Sequence, residues 1–167
     1  MTEDGRRIGA CDRPSWKDVE KYTSALSELI NASGFEPNFI VGISRGGLVP
    51  AVLLAHLMTR IPIASIDIIK EGQERKVVSN PQINWAAIDG KNVLLVEDLL
   101  ETGRSAHVAR EFLERNGANV RLACYFTRDF SEEKPDFVLQ RGIKKEISFP
   151  WERFREAKLT KPKVHNF

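Results

Sequence analysis

The chain has 167 residues and a mass of 18.9 kDa, about one domain's worth, and folding at that size removes roughly 70% of the unfolded surface, so no disulfide or metal staple is required. Its 25 Lys and Arg against 23 Asp and Glu give a net charge of +2, with 42% hydrophobic and 29% charged residues, which excludes a disordered tail and a uniformly basic, duplex-coating domain. The longest apolar run, Leu48 to Met58, contains Pro50 and His56 and is too short for the roughly 20 residues of a membrane span.

The first seven residues, Met-Thr-Glu-Asp-Gly-Arg-Arg, carry acids with no apolar core behind them, so no signal peptide is expected and the expected compartment is the cytoplasm. Cys11 and Cys124 lie far apart without metal or redox spacing, and Cys124, inside an apolar run, is expected to be a buried hydrophobe. Ser15, with Asp18 three residues on, caps a predicted amphipathic helix that puts Trp16, Val19, Thr23, Leu26 and Ile30 on one face, with Trp16 as a core anchor and Gly34 as the stop. Phe39 to Ile43 reads as a buried strand, Ser44-Arg45-Gly46-Gly47 as a turn, and Leu48 to Thr59 as a buried helix.

Ile63 to Ile69 is a second predicted strand. The segment from Lys70 to Ile88 is polar and charged and reads as irregular, and a loop of that length is more often functional than idle. Asn92 to Val96 is a third strand, Glu97 to Gly103 a turn, and Arg104 to Asn116 a helix stopped by Gly117. Val120 to Phe126 and Asp136 to Leu139 complete five predicted strands. Strands separated by helices imply an α/β fold, an open parallel sheet with helices on both faces. Ligands of such sheets bind beyond the carboxyl ends of the strands, where both glycine turns fall.

One turn is the most informative stretch. In Val93-Leu94-Leu95-Val96-Glu97-Asp98-Leu99-Leu100-Glu101-Thr102-Gly103-Arg104-Ser105 a buried strand delivers two adjacent carboxylates, and a Thr-Gly-x-Ser turn then opens a helix. Backbone N–H groups at the helix start, with the Thr102 and Ser105 hydroxyls, suit a phosphate monoester. Like charge keeps the acids off that phosphate, so they suit sugar hydroxyls or a divalent cation. The same residues also fit a plain alternative, with solvated turn acids and Thr102 as an N-cap.

These thirteen residues resemble the phosphoribosyl diphosphate (PRPP) motif of type I phosphoribosyltransferases. The turn Gly42-Ile43-Ser44-Arg45-Gly46-Gly47-Leu48-Val49-Pro50 resembles the same family's pyrophosphate loop, in wording closest to its bacterial xanthine-guanine and hypoxanthine members. The match runs from Phe39 to about Trp151. It implies one phosphoribosyltransferase domain over 1–167, with a core at about 14–140 and a small hood and basic tail at about 141–167.

The resemblance further implies an enzyme, a Mg2+-dependent pentosyltransferase that joins guanine, xanthine or hypoxanthine to PRPP and releases pyrophosphate, in purine salvage. Glu97 and Asp98 would hold the ribose hydroxyls; Thr102, Gly103, Arg104 and Ser105 the 5-phosphate; and Ser44, Arg45 and Gly46 the pyrophosphate, in a loop that often carries a non-proline cis peptide. Glu101 would be the catalytic carboxylate near the purine N7. Arg128, Ile147 and Trp151 would meet the base, and Glu97, Asp98 and Glu152 would be the metal ligands. Closure of the Lys70 to Ile88 segment would exclude water from the site.

Two departures stand out. Glu146 occupies the position where, by the resemblance, an aromatic ring would stack on the base, and the Lys70 to Ile88 segment lacks the Ser-Tyr pair expected in the family's mobile loop. Two other readings therefore stay open, a PRPP-binding regulatory protein and a transferase for a different nitrogenous base. A homo-oligomer is expected, with no membrane and no nucleic acid among the partners. His56 and His107 read as structural or surface histidines. The basic run Arg153, Arg155, Lys158, Lys161 and Lys163 reads as a solvated tail, and it splits the charge into −3 over 1–140 (17 basic, 20 acidic) and +5 over 141–167 (8 basic, 3 acidic).

Overall fold

The computed structural model describes residues 10–59, 61–72, 74–78 and 84–153. The elements run α1 (Trp16–Ala32), β1 (Phe39–Ser44), α2 (Leu48–Leu57), β2 (Ile63–Glu71), β3 (Glu74–Val78), a 3-10 turn (Trp85–Ile88), β4 (Asn92–Leu100), α3 (Arg104–Arg115), β5 (Asn119–Thr127) and β6 (Phe137–Gln140). The six strands form one sheet in the order β3-β2-β1-β4-β5-β6, parallel throughout except for the antiparallel β2–β3 pair. Among the described residues no helix is long and apolar enough to cross a membrane.

The central strands read as apolar runs because both their faces are covered. Along β4, Leu94 and Val96 enter one core with Leu26 and Ile30 of α1 and Leu54 of α2, whereas Val93 and Leu95 enter the other with Ala109 and Leu113 of α3. That alternation is the two-residue period of a strand. With α2 and α3 on opposite faces, β1–α2–β2 and β4–α3–β5 wind outward in opposite directions from adjacent strands. β1 and β4 therefore flank the switch point where such sheets bind ligands.

At α1 the predicted capping box is present. Asp18 N donates to Ser15 Oγ at 3.2 Å and Ser15 N donates to Asp18 Oδ2 at 2.9 Å. Trp16 is not the expected core anchor. It is 55% exposed, because what lies against its ring at the helix start is the Trp151 ring, 5.9 Å away. Cys124 is fully buried as expected.

Two boundaries differ from the sequence reading. The Lys70 to Ile88 segment is not irregular throughout. Glu71 closes β2, Glu74–Val78 pairs with it as β3, and Trp85 and Ile88 are buried; positions 79–83 lie outside the described residues. β4 does not stop at Val96 but carries the acids inside the strand, pairing Glu97 with Cys124 and Leu100 with Thr127. The basic tail beyond Arg153 also lies outside the described residues.

Candidate active site

β1 and β4 lie side by side, Gly42 opposite Val96, so the turns that follow them meet. The β1 turn contains a cis peptide between Ser44 and Arg45 and closes into α2 through Leu48 N to Arg45 O (3.3 Å) and Val49 N to Gly46 O (3.3 Å). Its glycines are required by close approach. A Cβ on Gly46 would stand 2.7 Å from the Asp98 carboxyl carbon, and one on Gly47 would stand 2.9 Å from Glu97 Cα and run into the Val96 carbonyl. Gly46 therefore seats the turn directly on the acids of β4. Arg45 projects to the surface.

Asp98 is buried. Its Oδ1 accepts from Leu99 N at 2.7 Å and its Oδ2 from Trp151 Nε1 at 3.0 Å. Burial pushes its pKa up to about 6, with repulsion from Glu152 adding to the rise and the Trp151 and Leu99 N–H bonds opposing it. Glu97 beside it is half-buried and accepts from Asp98 N at 3.1 Å. Desolvation, then the Asp98 charge, hold its carboxyl well above the usual range. Two adjacent acids are thus kept where ionising both is costly, and hydroxyl donors or a cation would relieve that cost.

The second turn opens α3. Gly103 has φ +77° and is roofed by Ser131 and Glu133, each within 2.7 Å of where a Cβ would stand. Gly103, not Thr102, is the N-cap residue, and Thr102 Oγ1 receives only a long 3.4 Å bond from Arg104 N. Ser105 and Thr102 are half-buried, whereas the Arg104 side chain turns outward onto Glu132 (2.9 and 3.1 Å). Of the four residues expected at the 5-phosphate, Arg104 thus offers its backbone rather than its guanidinium. Arg75 of β3, which the sequence reading left in a charged cluster, donates from Nε to Ser105 Oγ at 3.2 Å. Its signal is the alternation in Glu74–Val78, where Arg75 and Val77 are the half-buried positions.

The cluster around Arg128 is built differently. Arg128, at the end of β5 and only 5% exposed, donates from Nε and Nη2 to the Glu101 carboxylate (3.2 and 3.0 Å) and from Nη1 to the carbonyls of Ile143 (3.3 Å) and Lys145 (2.7 Å). Its Nη2 also lies 3.3 Å from Glu146 Oε1. Beside the pair is a cavity of about 300 Å3 whose wall includes Glu101, Arg128, Asp129, Phe130, Lys144 and Glu146, the lower end of the range for small-molecule sites. Phe130, 64% exposed, is an aromatic wall that the sequence reading missed.

Ile147 and Trp151 do not line that cavity. Ile147 is buried in the α1 and α2 core, and Trp151 stacks on Phe149 (4.6 Å, 5°) while its indole holds Asp98. Nor do Glu97, Asp98 and Glu152 converge as a metal cage. One Glu152 oxygen receives Phe149 N at 3.0 Å, and among the described residues no three candidate ligands come together. Glu97 and Asp98 remain a fitting partial set, because Mg2+ is usually held by one or two carboxylates plus substrate phosphates.

Residues 15–156 match the family model described as the phosphoribosyl transferase domain. The chain is 34% identical over 145 residues to xanthine-guanine phosphoribosyltransferase of Gluconobacter oxydans, covering 83% of this chain and 82% of that one. It is 33% identical over 132 residues to orotate phosphoribosyltransferase of Oceanobacillus iheyensis, spanning 77% of this chain but only 62% of that relative's length. A crystal structure of a purine phosphoribosyltransferase from Pyrococcus horikoshii superposes with a TM-score of 0.73 at 31% identity, covering 85% of this chain and 95% of that one. The sheet order, the two apposed turns and these matches lead to one conclusion: the chain belongs to the phosphoribosyl transferase family.

Proposed function

We propose that the protein transfers the phosphoribosyl group of PRPP to a purine base, guanine, xanthine or hypoxanthine, in purine salvage. The observation that carries this reading is the seating of Gly46 on Asp98, which sets a pyrophosphate-type turn, an acidic pair and a phosphate-type helix start side by side. In this reading Glu97 and Asp98 accept from the ribose hydroxyls. Backbone N–H groups of Gly103, Arg104 and Ser105, with the Thr102 and Ser105 hydroxyls and Arg75, hold the 5-phosphate. Ser44, Arg45 and Gly46 hold the pyrophosphate. Mg2+, held by Glu97 or Asp98 together with PRPP oxygens, would supply charge neutralisation to the leaving pyrophosphate.

In the reaction a ring nitrogen of the base forms a bond to C1 as the C1–O bond to pyrophosphate breaks and its electron pair leaves with the pyrophosphate. Positive charge builds on the ribose ring, and the base loses its N–H proton to water. Glu101 is an anion on the wall of the base cavity, at the end of the strand that carries the acidic pair, and is held there by Arg128. It stabilises that charge electrostatically, and a fixed anion has no reorganisation cost at the moment of reaction. The test is pyrophosphate release from PRPP and Mg2+ with each base in turn. Release with a purine supports the reading, and PRPP binding without release for any purine would overturn it. The orotate relative and Glu146 favour a second reading, a different nitrogenous base, which the same panel detects when orotate is added.

A further inference from the structure

We propose that the Glu101–Arg128–Glu146 cluster makes the base cavity select a purine that carries an exocyclic amino group over one whose exocyclic groups are all carbonyls. The inference rests on the transfer reading above and names the substrate class of its base site.

A guanidinium has five N–H donors. Four of those of Arg128 are held by the Glu101 carboxylate and the Ile143 and Lys145 carbonyls, and Glu146 lies 3.3 Å from the nitrogen that carries the fifth. A carbonyl oxygen on the base could reach this buried cation only by displacing the Glu146 carboxylate from that fifth donor. Acceptors are left in surplus. The Glu101 and Glu146 side chains are 53% and 95% exposed, both line the cavity, and each carboxylate oxygen can accept more than one hydrogen bond.

The charge balance points the same way. Glu101, Asp129 and Glu146 face Arg128 and Lys144 around the cavity, leaving one negative charge in excess. Lys144 is exposed, and an ammonium on a flexible, solvated stem is a weakly oriented donor compared with a buried guanidinium. An amino group on the base would donate to a waiting carboxylate, whereas a carbonyl there would set acceptor against acceptor. Glu146 thus does more than leave out a stacking ring, because its carboxylate faces the one Arg128 donor that a carbonyl would use.

Guanine, hypoxanthine and xanthine isolate this effect, since they share the 6-carbonyl and carry an amino group, a hydrogen and a carbonyl at position 2. With PRPP and Mg2+, kcat/KM should fall in that order, guanine exceeding xanthine about tenfold or more, the scale of one hydrogen bond to a charged group. Glu146→Gln should reduce the guanine-to-xanthine ratio severalfold, because an amide can donate to a carbonyl. Calorimetric dissociation constants of the three bases should follow the same order. Equal use or a preference for xanthine, or a ratio unmoved in Glu146→Gln, would overturn the proposal. Binding in the expected order without pyrophosphate release would support the selection and overturn the transfer reading, and no binding of any of the three would overturn both.

Discussion

The two ends of the site are made of different materials. At the end proposed for the sugar and phosphates, glycine backbone, helix-start N–H groups and two strand-borne acids are locked together by direct contact, with Gly46 on Asp98 and Gly47 on the Val96 carbonyl. At the base end, one long cation reaches from β5 to gather Glu101, Glu146 and the carbonyls of residues 143 and 145. A side chain at Gly47 would meet the backbone of Val96 and Glu97 and could enter only if that strand moved. A side-chain network can be rewired by one residue, which is how a shared transfer site can serve different bases.

Asp98→Asn should break the contrast most sharply, with opposite effects on function and stability. Use of PRPP, read as kcat/KM, should fall by about 100-fold, the size of losing one aligned electrostatic group. Stability should rise. The native pKa of Asp98 is raised, so the fold pays for ionisation: the unfolded carboxyl titrates first, and stability present below about pH 4 is lost as pH climbs through about 6. The Asn variant should therefore exceed the parent at pH 7.5 by up to about 3 kcal/mol, converting a shift of about two units, with the difference gone at pH 4. Denaturant titrations at the two pH values measure it, and an equal or lower stability at pH 7.5 would show that the acid is not strained by burial.

Gly47→Ala comes next, and tests whether the phosphate end is rigid. The new methyl meets the Glu97 and Val96 backbone rather than a yielding side chain, so a loss of about 1–3 kcal/mol is expected by urea unfolding, together with weaker PRPP binding. Phe130→Ala should leave stability within about 0.5 kcal/mol, as for other exposed positions, yet raise KM for the base about tenfold if the ring takes the stacking role that Glu146 cannot. An unchanged base KM would remove Phe130 from the site. Arg75→Ala should have the smallest effect, a severalfold rise in KM for PRPP with the base KM unmoved, since the guanidinium touches only Ser105 of the phosphate turn.

How far the sequence could be read follows the same division. The two apposed turns were legible because each lies in contiguous residues: two acids, two apolar residues and Thr-Gly-x-Ser on one strand and turn, and Ser-Arg-Gly-Gly on another. β4 was read short at Val96 because hydrophobicity drops there, although the ladder to β5 continues as far as Leu100. β3 was hidden because Glu74, Lys76 and Val78 face outward and only Arg75 and Val77 turn inward. Arg128 and Glu101 were read as separate residues of the base site, and their pairing, which joins positions 27 residues apart, is not encoded in spacing. Trp151 was assigned to the base, and its bond to Asp98 crosses 53 residues.

Binding of PRPP by the apposed β1 and β4 turns through the acidic pair is open to calorimetry of PRPP with Mg2+. One site per chain is expected, with competition from pyrophosphate and from ribose 5-phosphate, each binding more weakly alone, and loss of most of the affinity in Asp98→Asn. No PRPP binding at millimolar concentration, or affinity undiminished in Asp98→Asn, would contradict it.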